Sequence, residues 1–240
     1  ITSFDCTNIG ENTVILTVTD VHGNSNTGTA IVTVEDNIPP TAICKDITVQ
    51  LDENGEAYIT PELIDNGSYD NCEIYGIILL TENENRFDYS YNCSNIGENA
   101  VKLYVVDVNG NFSICNVIVT IEDSIAPTAV AQNITVELNA NGIVVITPEQ
   151  IDNGSTDACG IASLVLDKTA FTCADVGVVN TVILTVTDNN GNVSTATASV
   201  TVKDEVKPAA LAQNVVVQLD ANGNGATTAA LVDNGSTDAC

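Results

Sequence analysis

The string DNGSTDAC runs from Asp152 to Cys159 and recurs from Asp233 to Cys240, and a close variant, DNGSYDNC, occupies Asp65 to Cys72. Self-similarity at a fixed spacing is the mark of a tandem array, in which each supersecondary unit copies its neighbour. Acidic strings ending at Asp36, Asp123 and Asp204 set the period: Asp36 to Asp123 is 87 positions and Asp123 to Asp204 is 81. Each is followed within four residues by a proline (Pro39, Pro127 or Pro208). From every boundary Asp to the Cys closing the DNG string is 36 positions. The length difference therefore lies mainly in the loop to the next Cys, 21 positions from Cys72 to Cys93 against 14 from Cys159 to Cys173. This divides the chain into the back half of one repeat (1–36), two whole repeats (37–123 and 124–204) and the front of another (205–240).

Within each repeat, period-two alternation marks strands. Val182, Leu184 and Val186 share one face, matched by Val101, Leu103 and Val105 and by Val14, Leu16 and Val18. After the turns VHGN, VNGN and NNGN a second alternating strand turns Val32 and Val34, Val119 and Ile121, or Val200 and Val202 to the same side. Each pair reads as a hairpin closed by an Asn-Gly-type turn. An earlier hairpin turns at Gly55, Gly142 and Gly223, and Thr60-Pro61-Glu62 and Thr147-Pro148-Glu149 read as the start of a single helical turn. No proline falls inside a strand, as a paired sheet requires. The apolar residues are mostly β-branched Val and Ile with Leu and Ala, and Met and Trp are absent, a bias toward strands. The expected fold is all-β: tandem immunoglobulin-like β-sandwich domains of about six strands, with a seventh short strand possible in the Cys loop. Linkers of a few residues, each holding a Pro, would arrange them as an extended rod.

Eight cysteines without a CxxC or a His cluster point to disulfides and an oxidising, extracellular compartment. Cys72 with Cys93, and Cys159 with Cys173, stand at matching positions of successive repeats and are the expected in-repeat pairs. Cys44 with Cys115 is suggested by the next repeat, where Ala131 and Ala196 replace both together. Cys6 and Cys240 would then pair outside the segment.

Charge restricts partners. Thirty-two acidic residues against six basic give a net charge of −26, which disfavours nucleic acid and anionic membranes, whose binding sites need clustered Lys and Arg. No stretch approaches the roughly 18 apolar residues of a membrane span, so no direct membrane insertion is expected. The sharper reading of the acids is calcium at the repeat boundaries. In an immunoglobulin-like domain the DNG loop and the last hairpin turn lie at the end where the chain enters. That would gather Asp36, Asp65, Asp70 and Asp107 at one boundary and Asp123, Asp152, Asp157 and Asp188 at the next. The plainer reading is that Asp serves turns and helix caps. Catalysis finds no support: the only histidine, His22, sits in a hairpin turn where other repeats carry Asn109 and Asn190. Lys102 and Lys45 do not keep their repeat positions, which argues against Lys-Asn isopeptide bonds.

The motif aromatic-x-Cys (Phe4-Asp5-Cys6, Tyr91-Asn92-Cys93, Phe171-Thr172-Cys173), then Gly, the strand TVILTVTD and the turn NGN resemble the HYR and PKD-type immunoglobulin-like modules of bacterial surface proteins. The strings DNGSTDACGIASL and LDANGN are similar to repeats of giant Bacteroidetes adhesins, including gliding-motility adhesins exported by the type IX secretion system. The resemblance implies a bacterial cell-surface filament, with the cell-surface anchoring and motility machinery, and adhesion itself, outside this segment. Asp123-Ser124-Ile125 is similar to the short O-glycosylation motif of that phylum, marking Ser124. Two functions follow: non-enzymatic stalk repeats of a large secreted adhesin, whose partners here are neighbouring repeats, or a repeat module that itself binds glycan or protein ligands. A ligand site would show aromatics at a fixed repeat position, but Tyr69 becomes Thr156 and Thr237, and Tyr104 becomes Thr17 and Thr185. That favours the stalk.

Overall fold

The computed structural model describes residues 3–81 and 89–240. It forms two compact units, Ile1–Asp123 and Ser124–Cys240. The first opens with a hairpin of β1 (Gly10–Thr19) and β2 (Ser25–Val34). The whole repeat after it has β3 (Ile47–Gln50), β4 (Glu56–Tyr58), β5 (Ile74–Thr81), β6 (Ser90–Asn92), β7 (Gly97–Asp107) and β8 (Phe112–Glu122). Four of these form a sheet in the order β3-β8-β7-β5, with β3 parallel to β8 and the other pairs antiparallel; β4 and β6 form a small second sheet.

The second unit repeats the plan with β9 (Ile134–Glu137), β10 (Ile143–Val145), β11 (Ile161–Leu166), β12 (Ala170–Thr172), β13 (Asn180–Asp188) and β14 (Val193–Lys203). Its sheets run β11-β13-β14-β9 and β10-β12. The fold is the expected all-β, immunoglobulin-like sandwich. The loop between the DNG cysteine and the next carries two strands, β5 and β6 in the first unit and β11 and β12 in the second.

The core follows from the pleat, which sends alternate side chains to opposite faces. Val101, Leu103 and Val105 of β7 and Val117, Val119 and Ile121 of β8 are buried, as are Val182, Leu184, Val186, Val200 and Val202 in the second unit. Opposing them from the small sheets are Tyr91 and Phe171, the latter fully buried. The helical turns form at Pro61–Ile64 and Pro148–Ile151, where proline supplies the helical φ and sacrifices only an N–H with no helical partner. Each turn drives one side chain, Ile64 or Ile151, into the core. The corresponding face of β1 differs: Leu16 and Val18 are 66% and 61% exposed, because no second sheet stands over that hairpin among the described residues.

Asparagine does structural work that alternation did not reveal. The Asn180 side chain, 7% exposed, donates to the carbonyls of Asp175, Val178 and Val200. Asn99 donates likewise to Asn95, Gly97 and Val119. These bonds fasten the loop entering β7 or β13 to the strand beside it, and removing the amide would strand buried carbonyls.

Cys44 is disulfide-bonded to Cys115, closing 71 positions of the first unit, whereas Ala131 and Ala196 leave the second unit without that bond. A loop of this size stabilises by about 4 kcal/mol on the chain-entropy model. Replacing Cys44 and Cys115 together by Ala should therefore lower the first unit's unfolding free energy by up to about 4 kcal/mol and leave the second unchanged. Urea unfolding followed by hydrogen exchange, unit by unit, measures both.

Candidate functional site at the repeat boundary

The aromatic-x-Cys motif does three things in three residues. The aromatic enters the core at Tyr91 and Phe171. The middle residue, Asp5, Asn92 or Thr172, caps a short 3₁₀ turn by accepting from the backbone N–H two residues on, and Asn8, Asn95 or Asp175 returns the bond. The cysteine opens that turn, and at Cys6 and Cys173 it reaches across a repeat boundary.

Cys6 is bonded to Cys72 and Cys173 to Cys240, with sequence separations of 66 and 67. This overturns the in-repeat pairs Cys72–Cys93 and Cys159–Cys173, and it overturns the assignment of Cys6 and Cys240 to partners outside the segment. Cys93 and Cys159 are also disulfide-bonded, and no cysteine is free. The 3₁₀ turns that open at Cys6 and Cys173 lie against the DNG loops that carry Cys72 and Cys240, so in both cases the second cysteine of one repeat meets the first of the next. A signal was present. The cross-boundary separation is nearly constant, whereas the in-repeat loop varies between 21 and 14 positions, and a bond of fixed geometry tolerates the former better.

Beside the Cys6–Cys72 bond lie the acids. Asp107 ends β7 at the hairpin turn and is 1% exposed. Its Oδ1 accepts from the N–H of Asn109 and of Asn111, and its Oδ2 from the Asn111 amide at 2.8 Å. Asp188 repeats this with Asn190 and Asn192. Gly110 and Gly191 take φ of +90° and +92° in these turns, a region open to Gly at little cost. Burial works against both carboxylates, but the bonds from the Asn side chain and the turn N–H groups outweigh it and hold both pKa values below the usual carboxylate range.

The turn also grips the linker: the Asn111 amide donates to the Asp36 carbonyl at 3.0 Å, and Ser113 donates to the carbonyl of buried Pro40. Asp36, Asp70 and Asp107 consequently bring carboxylate oxygens within 4.8 Å of one another. Asp65 is not in this group. Its two oxygens accept from the N–H groups of Gly67 and Ser68, holding the DNG loop, and Asp152 does the same with Gly154 and Ser155. Both are turn residues and not part of an acidic centre. In the second unit Asp157 accepts from the Cys159 N–H, while Asp123 ends the first unit. Ser124 is exposed. Among the described residues, no helix is long and apolar enough to cross a membrane.

No family model and no curated protein matches the sequence. Solved structures to which the chain shows some likeness include a three-domain titin segment, I67–I69 (13% identity, TM-score 0.39, covering 80% of this chain and 75% of that one). The insect immune protein hemolin is another (11%, TM-score 0.38, 80% and 56%), and the protocadherin gammaB4 extracellular domain a third (16%, TM-score 0.35, 89% and 40%).

Two outcomes follow. A non-reduced digest should yield a Cys6 peptide linked to a Cys72 peptide; recovery of Cys72 with Cys93 would contradict the structure. Because their folded pKa values are lowered, the stability that Asp107 and Asp188 contribute is fully present above the unfolded value of about 3.9. It is lost as pH falls through the folded pKa. Carbon-detected titration should place both midpoints below about 3.9, and Asp188→Asn should lose less stability than the parent between about pH 5 and pH 2.

Proposed function

We propose that the chain is a non-enzymatic stalk segment of a large secreted cell-surface adhesin, in which tandem sandwich repeats supply length and stiffness. The observation that carries this reading is the bond from Cys6 to Cys72 across the boundary at Asp36. A covalent tie between successive repeats is of little use to an independent binding domain, whereas in a filament under tension it keeps a repeat boundary from opening. The linker bonds from Asn111 and Ser113 act in the same sense.

Universal cysteine oxidation supports an extracellular site. The sequence resemblance supports a bacterial surface, with gliding motility and type IX export as the narrower assignment. An O-glycan at exposed Ser124 would fit such a surface, as would calcium acting as a stiffener of the boundary and not as a reagent. The alternative, repeats that themselves bind glycan or protein, is favoured by no fixed aromatic position: exposed Tyr69 of the first unit is replaced by Thr156 at the equivalent position of the second.

Small-angle scattering of a longer multi-repeat chain should give a maximum dimension growing linearly with repeat number, by about 35–45 Å per repeat for strands of about ten residues at roughly 3.3 Å each plus their turns. A glycan array should show no specific binding. Tight selective binding, or a compact scattering profile, would overturn the stalk reading.

A further inference from the structure

We propose that Asp36, Asp70 and Asp107 hold a calcium ion at the first repeat boundary. Their carboxylate oxygens lie within 4.8 Å of one another, yet they come from three separate segments: the linker, the DNG loop and the β7–β8 turn. Turn chemistry accounts for only part of this. Asp36 uses Oδ1 to accept from the Ile38 N–H, and Asp70 uses Oδ2 to accept from the Cys72 N–H. The other oxygens, Asp36 Oδ2 and Asp70 Oδ1, are buried and have no hydrogen-bond partner, and the same holds for Asn109 Oδ1 in the Asp107 turn.

Buried acceptors are almost always satisfied, and a buried carboxylate oxygen left without a donor beside two further carboxylates is doubly unfavourable. A cation reverses both terms, because it supplies the partner and cancels the repulsion. The donors are all hard oxygens with neither His nor thiolate among them, which selects calcium or magnesium over zinc or copper. Three carboxylates on independent loops, with backbone carbonyls and water to complete the shell, suit the six to eight ligands and loose geometry of calcium better than the strict octahedron of magnesium. The ion would tie the linker of one repeat to two loops of the next, beside the Cys6–Cys72 bond. The site deepens the stalk reading by naming its ion, and its test does not depend on whether the repeats act as a stalk.

The experiment is calcium titration of the oxidised 240-residue chain by calorimetry, together with thermal unfolding in calcium and in chelator. Extracellular calcium sites bind at about 0.1–1 mM, so saturation is expected by about 10 mM, with a rise in the first unit's melting temperature that magnesium does not reproduce. Asp36→Asn with Asp70→Asn should remove one calcium equivalent and abolish that rise. In chelator the same variant should melt no lower than the parent, since the amides relieve the repulsion; this separates loss of a ligand from loss of the fold. Absence of binding at about 10 mM calcium, or an unchanged stoichiometry in the double variant, would overturn the proposal. So would a variant that melts lower than the parent by the same amount in both buffers.

Discussion

The register of the last hairpin of each repeat is the constraint on which the other features depend. A shift of one residue would turn the apolar face of β7 or β13 to solvent. Asp107 and Asp188 prevent this by gathering two turn N–H groups and an Asn amide onto one carboxylate. With Gly97 opposite Ile121 and Val106 opposite Phe112, Val101 lies opposite Val117, and Val101, Leu103, Val105, Val117, Val119 and Ile121 are all buried on the core face. The same turn fixes Asn111 where it reaches the linker carbonyl of Asp36. One local hydrogen-bond arrangement thus sets both the core and the boundary.

The boundary is the more unusual part. Linkers between sandwich domains are commonly hinges, since few contacts cross them. Here backbone and side-chain hydrogen bonds, a buried proline and a disulfide converge on residues 36–40 and their neighbours. The second unit shows the same device toward the segment that follows, through Cys173 and Cys240, and Thr237 and Asp233 form bridges with Ala209 and Ala212.

Much of this was legible in the sequence, because a repeat supplies its own comparison. The strands of the long hairpins, their buried faces and the helical turns behind Pro61 and Pro148 follow from alternation and cap chemistry, which are local. Disulfide partners are not local: matching positions in successive repeats admit bonds inside a repeat and between repeats, and the nearly constant cross-boundary spacing is a weaker signal than the orientation of the 3₁₀ turns, which decides. The role of Asp65 was obscured for a related reason. The residue types that ligate cations also close turns, and the two tasks differ in whether backbone N–H groups use both oxygens of the carboxylate, as at Asp65, or only one, as at Asp70 and Asp107. The buried amide of Asn180 and the half-buried amide of Asn99 were missed because a polar residue on a strand is read as facing water until its partners are known.

The most direct test of the account is mechanical. With force applied by handles placed before Ser124 and after Cys240, the oxidised chain should withhold the 67 positions closed by Cys173–Cys240. Reduction should then add about 220–240 Å of contour at 3.3–3.6 Å per residue. A gain near 50 Å, as expected from the 14 positions between Cys159 and Cys173, would show that the bonds close loops within repeats and would contradict the account.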